Sequence, residues 1–137
     1  MTALEKIATS LESSRAMQEI DFGKTALVWV VKGKGYEADA ILVQVEDYML
    51  LKRKYPAKYE NAIIYKAPTT DEMIRALPKK ISVSERYKYY LTLTTTDKGI
   101  YKVWYGNIHH ILIEFSDKSP KEALAKLCLW CKKEGYL

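Results

Sequence analysis

A chain of 137 residues, 48% apolar and 28% charged, has the size and make-up of one folded domain and is not composed like a disordered segment. Its net charge of +5 is a modest basic excess, centred on residues 45–90, where ten Lys/Arg stand against six Asp/Glu. The longest strongly apolar stretch, Ala26 to Val31, falls far short of the ~20 residues that a membrane-spanning helix needs. The opening MTALEKIATSLESS lacks the basic start and apolar block of a signal peptide, and two cysteines fit a reduced cytoplasm.

Residues 3–20 read as helix, with Leu4, Ile7, Ala8 and Leu11 at helical spacing. Thr9 and Glu12 also match a capping box, which would start the main helix near Ser10, and Gly23 closes the segment. ALVWVV, from Ala26 to Val31, is β-branched and aromatic and predicts a buried strand. Lys32-Gly33-Lys34-Gly35 is a turn or flexible loop, and Ala40 to Val45 forms a hairpin partner for the first strand. Glu46 to Lys54 has helical character and stops before Pro56; Ala62 to Tyr65 is a short edge strand.

APTTDEMIRALP predicts a short helix capped by Thr69, with Glu72 completing the box, Met73, Ile74 and Leu77 as its buried stripe, and Pro78 as its stop. Three alternating strands follow. Tyr89, Leu91 and Leu93 share a face of the first, Tyr101, Val103 and Tyr105 of the second, and Ile111, Ile113 and Phe115 of the third. Asp97-Lys98-Gly99 and Gly106-Asn107 supply the turns of this antiparallel meander. SPKEALAKL opens the last helix, with Ser119 as cap, Pro120 in the first turn, Glu122 closing a box and Gly135 at the end. The expected fold is therefore α+β: a C-terminal three-stranded antiparallel meander plus an N-terminal strand or hairpin, packed with helices in a single domain over 1–137.

The Cys128-Leu129-Trp130-Cys131 spacing matches a redox pair or half a metal site, but it falls in the last turns of the final helix. A reactive pair gains from a helix N-terminus, where the dipole favours the thiolate; this one lies at the opposite end. Positions i and i+3 of a helix strain an internal disulfide. Zinc needs two further ligands, and the only histidines, His109 and His110, are neighbours in an expected strand and would point to opposite faces. Core packing is the reading these facts favour. Gly23-Lys24-Thr25 resembles the end of a phosphate-binding loop, but Gln18 stands where the first glycine belongs and a strand follows. Lys32 to Gly35 lacks the third glycine of a dinucleotide fingerprint. No Gly-x-Ser-x-Gly elbow occurs. Glu46 and Asp47 are consecutive, and Glu37 and Asp39, which could share a face of a strand beside the loop, are of a kind usually solvated, so neither is a convincing acid pair. No catalytic residue, cofactor site or metal ligand is assigned.

The remaining feature is the basic middle: Lys52, Arg53, Lys54, Lys58, Lys79, Lys80, Arg86 and Lys88, with Tyr48, Tyr55, Tyr59, Tyr65, Tyr87, Tyr89 and Tyr90 among them. Aromatics among lysines stack bases, and they also build protein-binding or half-buried sheet surfaces. Lys52, Arg53 and Lys54 are consecutive, and on a helix they fan over about 200°, which argues against one phosphate-tracking ridge.

APTTDEMIRALPKKI, the YYLTLTTTDKGIYKVWYG hairpin and SPKEALAKLCLWCKKEGYL, together with the opening TSLESSRAMQEIDFGKTALVWVV, resemble small proteins encoded by phages and integrated mobile elements of anaerobic gut bacteria. Their arrangement is similar to the phage α-β-α sandwich domains. The resemblance spans most of residues 9–137, with 33–60 departing from it like an insertion. It implies a bacterial cytoplasm and no known activity, cofactor or catalytic residue. The expected function is a non-enzymatic accessory or protein-interaction module. A nucleic-acid-binding protein using the basic, Tyr-rich 48–90 region is the alternative.

Overall fold

Two short helices, not one, open the chain in the computed structural model, which describes residues 2–137. α1 (Ala3–Ile7) begins in a capping box between Thr2 and Glu5, and α2 (Leu11–Ala16) begins at Ser10, whose hydroxyl accepts from the Ser13 amide. The break between them has a tertiary cause. Ala8 forms a β-bridge with Thr69, and the Thr9 amide donates to the Pro68 carbonyl. The Trp29 indole N–H donates to the Thr9 carbonyl at 2.9 Å, and the Thr9 and Ser14 hydroxyls bond at 2.6 Å. A continuous helix over 3–20 would forfeit all of these. Ile7, expected on the helix's apolar side, is exposed, and Ala8 is fully buried.

β1 (Leu27–Val31) follows, buried along its whole length. It is the central strand of a three-stranded antiparallel sheet in the order β2-β1-β3, with β2 (Ile41–Gln44) and β3 (Ile63–Lys66) on its edges. Between β2 and β3 runs α3 (Val45–Lys54). The alternation of β1 divides the sheet into two faces. Leu27 and Trp29 pack with Ala8 and Ala67, under Leu4 of α1 and Leu11 of α2. Val28 and Val30 pack on the other face with Tyr59, under Tyr48 and Leu51 of α3. Helices therefore cover both faces. Gln18 covers one edge as well: its side-chain oxygen accepts from the Lys66 amide, and its nitrogen donates to the Lys66 and Ser14 carbonyls. These elements form a compact unit that ends at Thr69.

The second unit, Thr70–Leu137, has a four-stranded antiparallel sheet in the sequential order β4-β5-β6-β7. α4 (Thr70–Ala76) precedes it, with Met73 and Leu77 buried and Ile74 half-buried. The strands are β4 (Lys80–Ser82), β5 (Lys88–Thr95), β6 (Tyr101–Gly106) and β7 (Ile111–Asp117). The meander thus has four strands rather than three. β4 is only three residues long and is held by pairing Ile81 with Tyr89, too little pattern to stand out in sequence.

α5 (Pro120–Lys133) packs on β6 and β7 and against α4. Leu124, Leu127, Cys128 and Cys131 are fully buried, and so are Val103 and Tyr105 of β6. The start of α5 differs from the expected cap. Ser119 holds the cap position, but its side chain makes no capping bond; instead the Asp117 carboxylate accepts from the Ser119 amide at 3.0 Å and pairs with Lys126 at 3.1 Å. The C-terminus is a Schellman motif. The Tyr136 amide donates to the Cys131 carbonyl, the Gly135 amide to the Lys132 carbonyl, and Tyr136 stacks on Trp130 at 5.6 Å. Gly135 sits at φ +82°, a conformation that L side chains rarely adopt.

Candidate functional site

Cys128 and Cys131 are free thiols in the core of the second unit. Burial pushes the Cys128 thiol up to about 12, with Cys131 adding to it, and burial pushes Cys131 up to about 11. Both stay protonated at neutral pH, whereas nucleophilic and metal-ligating cysteines are thiolates. The hydroxyl of Tyr105, itself shifted upward mainly by burial, donates to the Pro78 carbonyl at 2.7 Å and ties β6 to the end of α4. These groups hold the core and present nothing to a substrate.

The polar clusters weighed from sequence are placed differently from expectation. His109 and His110 lie in the β6–β7 turn, not in a strand, because the Asn107 side-chain oxygen accepts from both of their amides at 2.8 Å and holds them off the ladder. Their rings are 6.4 Å apart and exposed. Glu37 and Asp39 fall in a 3-10 turn rather than on a strand. Among the described residues no three or more His, Cys, Asp or Glu side chains are grouped as a metal site, and no helix is long and apolar enough to cross a membrane.

The eight basic residues divide four and four between the two units. Lys52, Arg53 and Lys54 form the exposed last turn of α3. Lys58 follows in the loop; its ammonium and that of Lys54 lie 5.8 and 5.5 Å from the Tyr55 ring centre. Lys79 has a structural task, donating to the Ile74 carbonyl near the C-terminus of α4. Arg86 lies in the exposed β4–β5 turn. Lys80 and Lys88 share the face of the second sheet opposite the buried Ile81 and Tyr89. Tyr90, 51% exposed, stands on that face opposite Lys80. So does Trp104, whose indole lies over Gly106; a Cβ there would meet the ring at 2.9 Å. Lys102 completes the face and is paired with Glu114 at 3.7 Å. Sequence reasoning missed Trp104 and Lys102; the strand register sets Trp104 opposite Thr92, next along the face from Tyr90, and Lys102 opposite Thr94, farther along it. Of the seven tyrosines near the basic segment, Tyr59 and Tyr89 are buried in the two cores, and only Tyr55, Tyr87 and Tyr90 are exposed.

A second surface was also not singled out from sequence. Beside α3 runs a shallow groove of about 370 Å³ lined by Val43, Asp47, Leu50, Leu51 and Lys54. Leu50 is 61% exposed, and Ile41, two residues before Val43 on the same face of β2, is 40% exposed. Positions 47, 50, 51 and 54 follow helical i, i+3, i+4, i+7 spacing, so they form one stripe. The signal was present in the α3 sequence, but only packing shows that Tyr48 and Leu51 turn inward and Leu50 outward.

The fold is α+β, built on two antiparallel sheets. No protein-family model, no curated protein and no solved structure matches the chain.

Proposed function

We propose that this chain is a non-enzymatic accessory module of phage or mobile-element type that works by binding a protein partner. The observation that supports this reading is the groove along α3. Leu50 keeps a large apolar side chain in water there, between an acidic and a basic residue of the same helical stripe. Covering that surface releases water at about 25 cal/mol per Å² of apolar area, while the flanking charges fix the orientation of the partner. The thiols of Cys128 and Cys131, protonated and buried, serve packing within this reading. The test is photo-crosslinking in bacterial cells from benzoylphenylalanine placed at Leu50, the exposed apolar residue that lines the groove. The expected result is a protein adduct from position 50 and none from the same probe at Lys132. Equal adducts from both positions, or none from either, would count against it.

The alternative, nucleic-acid binding, draws on one specific observation: Lys80, Lys88, Tyr90 and Trp104 share a sheet face. Backbone contacts by lysines make such binding fall steeply with salt. The first reading expects only weak association with oligonucleotides at low salt. Tight anisotropy signals that survive physiological salt would favour the alternative. Loss of that signal in Lys80→Glu/Lys88→Glu would place it on this sheet, and loss on reversing Lys52, Arg53 and Lys54 would place it on α3.

A further inference from the structure

We propose that the α3 groove docks a second copy of this chain, with the two α3 helices antiparallel about a two-fold axis. The inference rests on the reading of α3 as a protein-binding surface and names its occupant. The stripe carries an acid at its start, Asp47, a base at its end, Lys54, and Leu50 and Leu51 between them. A two-fold axis passing between Leu50 and Leu51 sets Asp47 of each copy against Lys54 of the other and packs leucine on leucine. Interfaces of this symmetry require a self-complementary patch, and this order of charges supplies one.

The neighbouring row has the same polarity. Glu46 stands two turns before Arg53, so the same two-fold axis brings the second acid within two residues, about 3 Å along the helix, of the second base. The helix does not satisfy these charges internally. The residues four positions after Glu46 and Asp47 are Leu50 and Leu51, so no i, i+4 ion pair forms along α3. Antiparallel docking also sets the negative end of one helix dipole beside the positive end of the other. A parallel arrangement would oppose Asp47 to Asp47 and Lys54 to Lys54. Val43 of β2 lines the groove beside the leucines and extends its apolar centre.

Sedimentation of the full chain, with variants that invert the charges, tests this pairing. Wild-type protein should show a concentration-dependent dimer in the micromolar range that weakens with added salt. Asp47→Lys and Lys54→Asp should each weaken it about ten-fold or more, since each places like charges at both contacts. An equimolar mixture of the two variants should form a heterodimer, and the double variant should recover the homodimer. Both positions are exposed, so unchanged circular dichroism and melting temperature should show that the variants fold. A wild-type chain that stays monomeric at high-micromolar concentration overturns the proposal. So does a mixture of variants that fails to recover the dimer. Crosslinking from position 50 keeps the two levels apart: adducts only to a different protein sink the second copy but leave the protein-binding reading standing, while no protein adduct sinks both.

Discussion

β1 and β5 show the contrast between the two units. LVWVV in the first unit is buried at every position. KYYLTLTT in the second alternates apolar and polar residues over most of its length and has one buried residue, Tyr89; Leu91 on the same face is half-buried and Leu93 is exposed. The difference follows from the layers. Helices lie on both faces of the first sheet, so both sets of β1 side chains meet apolar partners. α5 covers one face of the second sheet, and Lys80, Tyr90 and Thr94 on the other face remain exposed. A continuous apolar strand therefore reports two covering layers and an alternating strand reports one, whatever the direction of pairing.

The largest expected effect breaks the doubly covered sheet. Trp29→Ala should destabilise by about 3–5 kcal/mol, because it empties a core position and leaves the Thr9 carbonyl without its indole donor. The comparison change in the open face, Thr94→Ala, should stay within about 0.5 kcal/mol. Urea unfolding measures both, and equal costs would mean that the faces are wrongly assigned.

Next comes the covered face of the second unit. Cys128→Ala with Cys131→Ala should cost about 1–3 kcal/mol through lost packing. The same thiols predict a pH dependence. Their folded pKa values are raised by burial, to about 12 and about 11, above an unfolded value of about 8.5. Their contribution is complete below the unfolded value and is lost as pH rises towards the folded ones. Unfolding followed from neutral to alkaline pH should show a steeper loss of stability in the wild type than in the double variant. Parallel curves would place the thiols in contact with water.

A smaller effect separates two residues at the start of α5. Asp117→Ala should cost about 1 kcal/mol, while Ser119→Ala should cost only a few tenths, because the carboxylate accepts from the Ser119 amide and pairs with Lys126, whereas the hydroxyl makes no capping bond. The Ser119 amide, with help from Lys126, holds the Asp117 carboxyl below its usual value. Its contribution is present above the unfolded pKa, near 4, and fades as pH falls through the folded value. The difference between the two variants should therefore shrink in acid, and a difference that persists there would point to packing instead.

Several features were legible without coordinates because they depend on local chemistry. The β-branched run from Leu27 to Val31 makes a strand in any buried setting. Pro120 near the start and Gly135 beyond the end bracket α5, and the spacing of Leu124, Leu127, Cys128 and Cys131 marks its buried side. The placement of Cys128 and Cys131 at the far end of that helix already argued against thiol chemistry. The division of the basic residues between two units was not legible, since charge along the chain carries no information about which residues fold together.

What the amino-acid sequence determined by itself was the class of each strong element and the α+β, antiparallel character of the fold, because periodicity, caps and turn residues act over a few positions. Tertiary structure alone decided three things. Helix 3–20 breaks at Ala8 to Ser10 because Pro68, Thr69 and Trp29 offer its backbone better partners from far along the chain. β4 exists because Tyr89 and Tyr90 provide a ladder for three residues that would not form a strand alone. The α3 groove is a surface because Tyr48 and Leu51 are drawn onto Val28 and Val30, which turns Leu50 outward between Asp47 and Lys54. In each case the deciding partner is remote in sequence, so no window of neighbouring residues contains the free energy that settles the outcome.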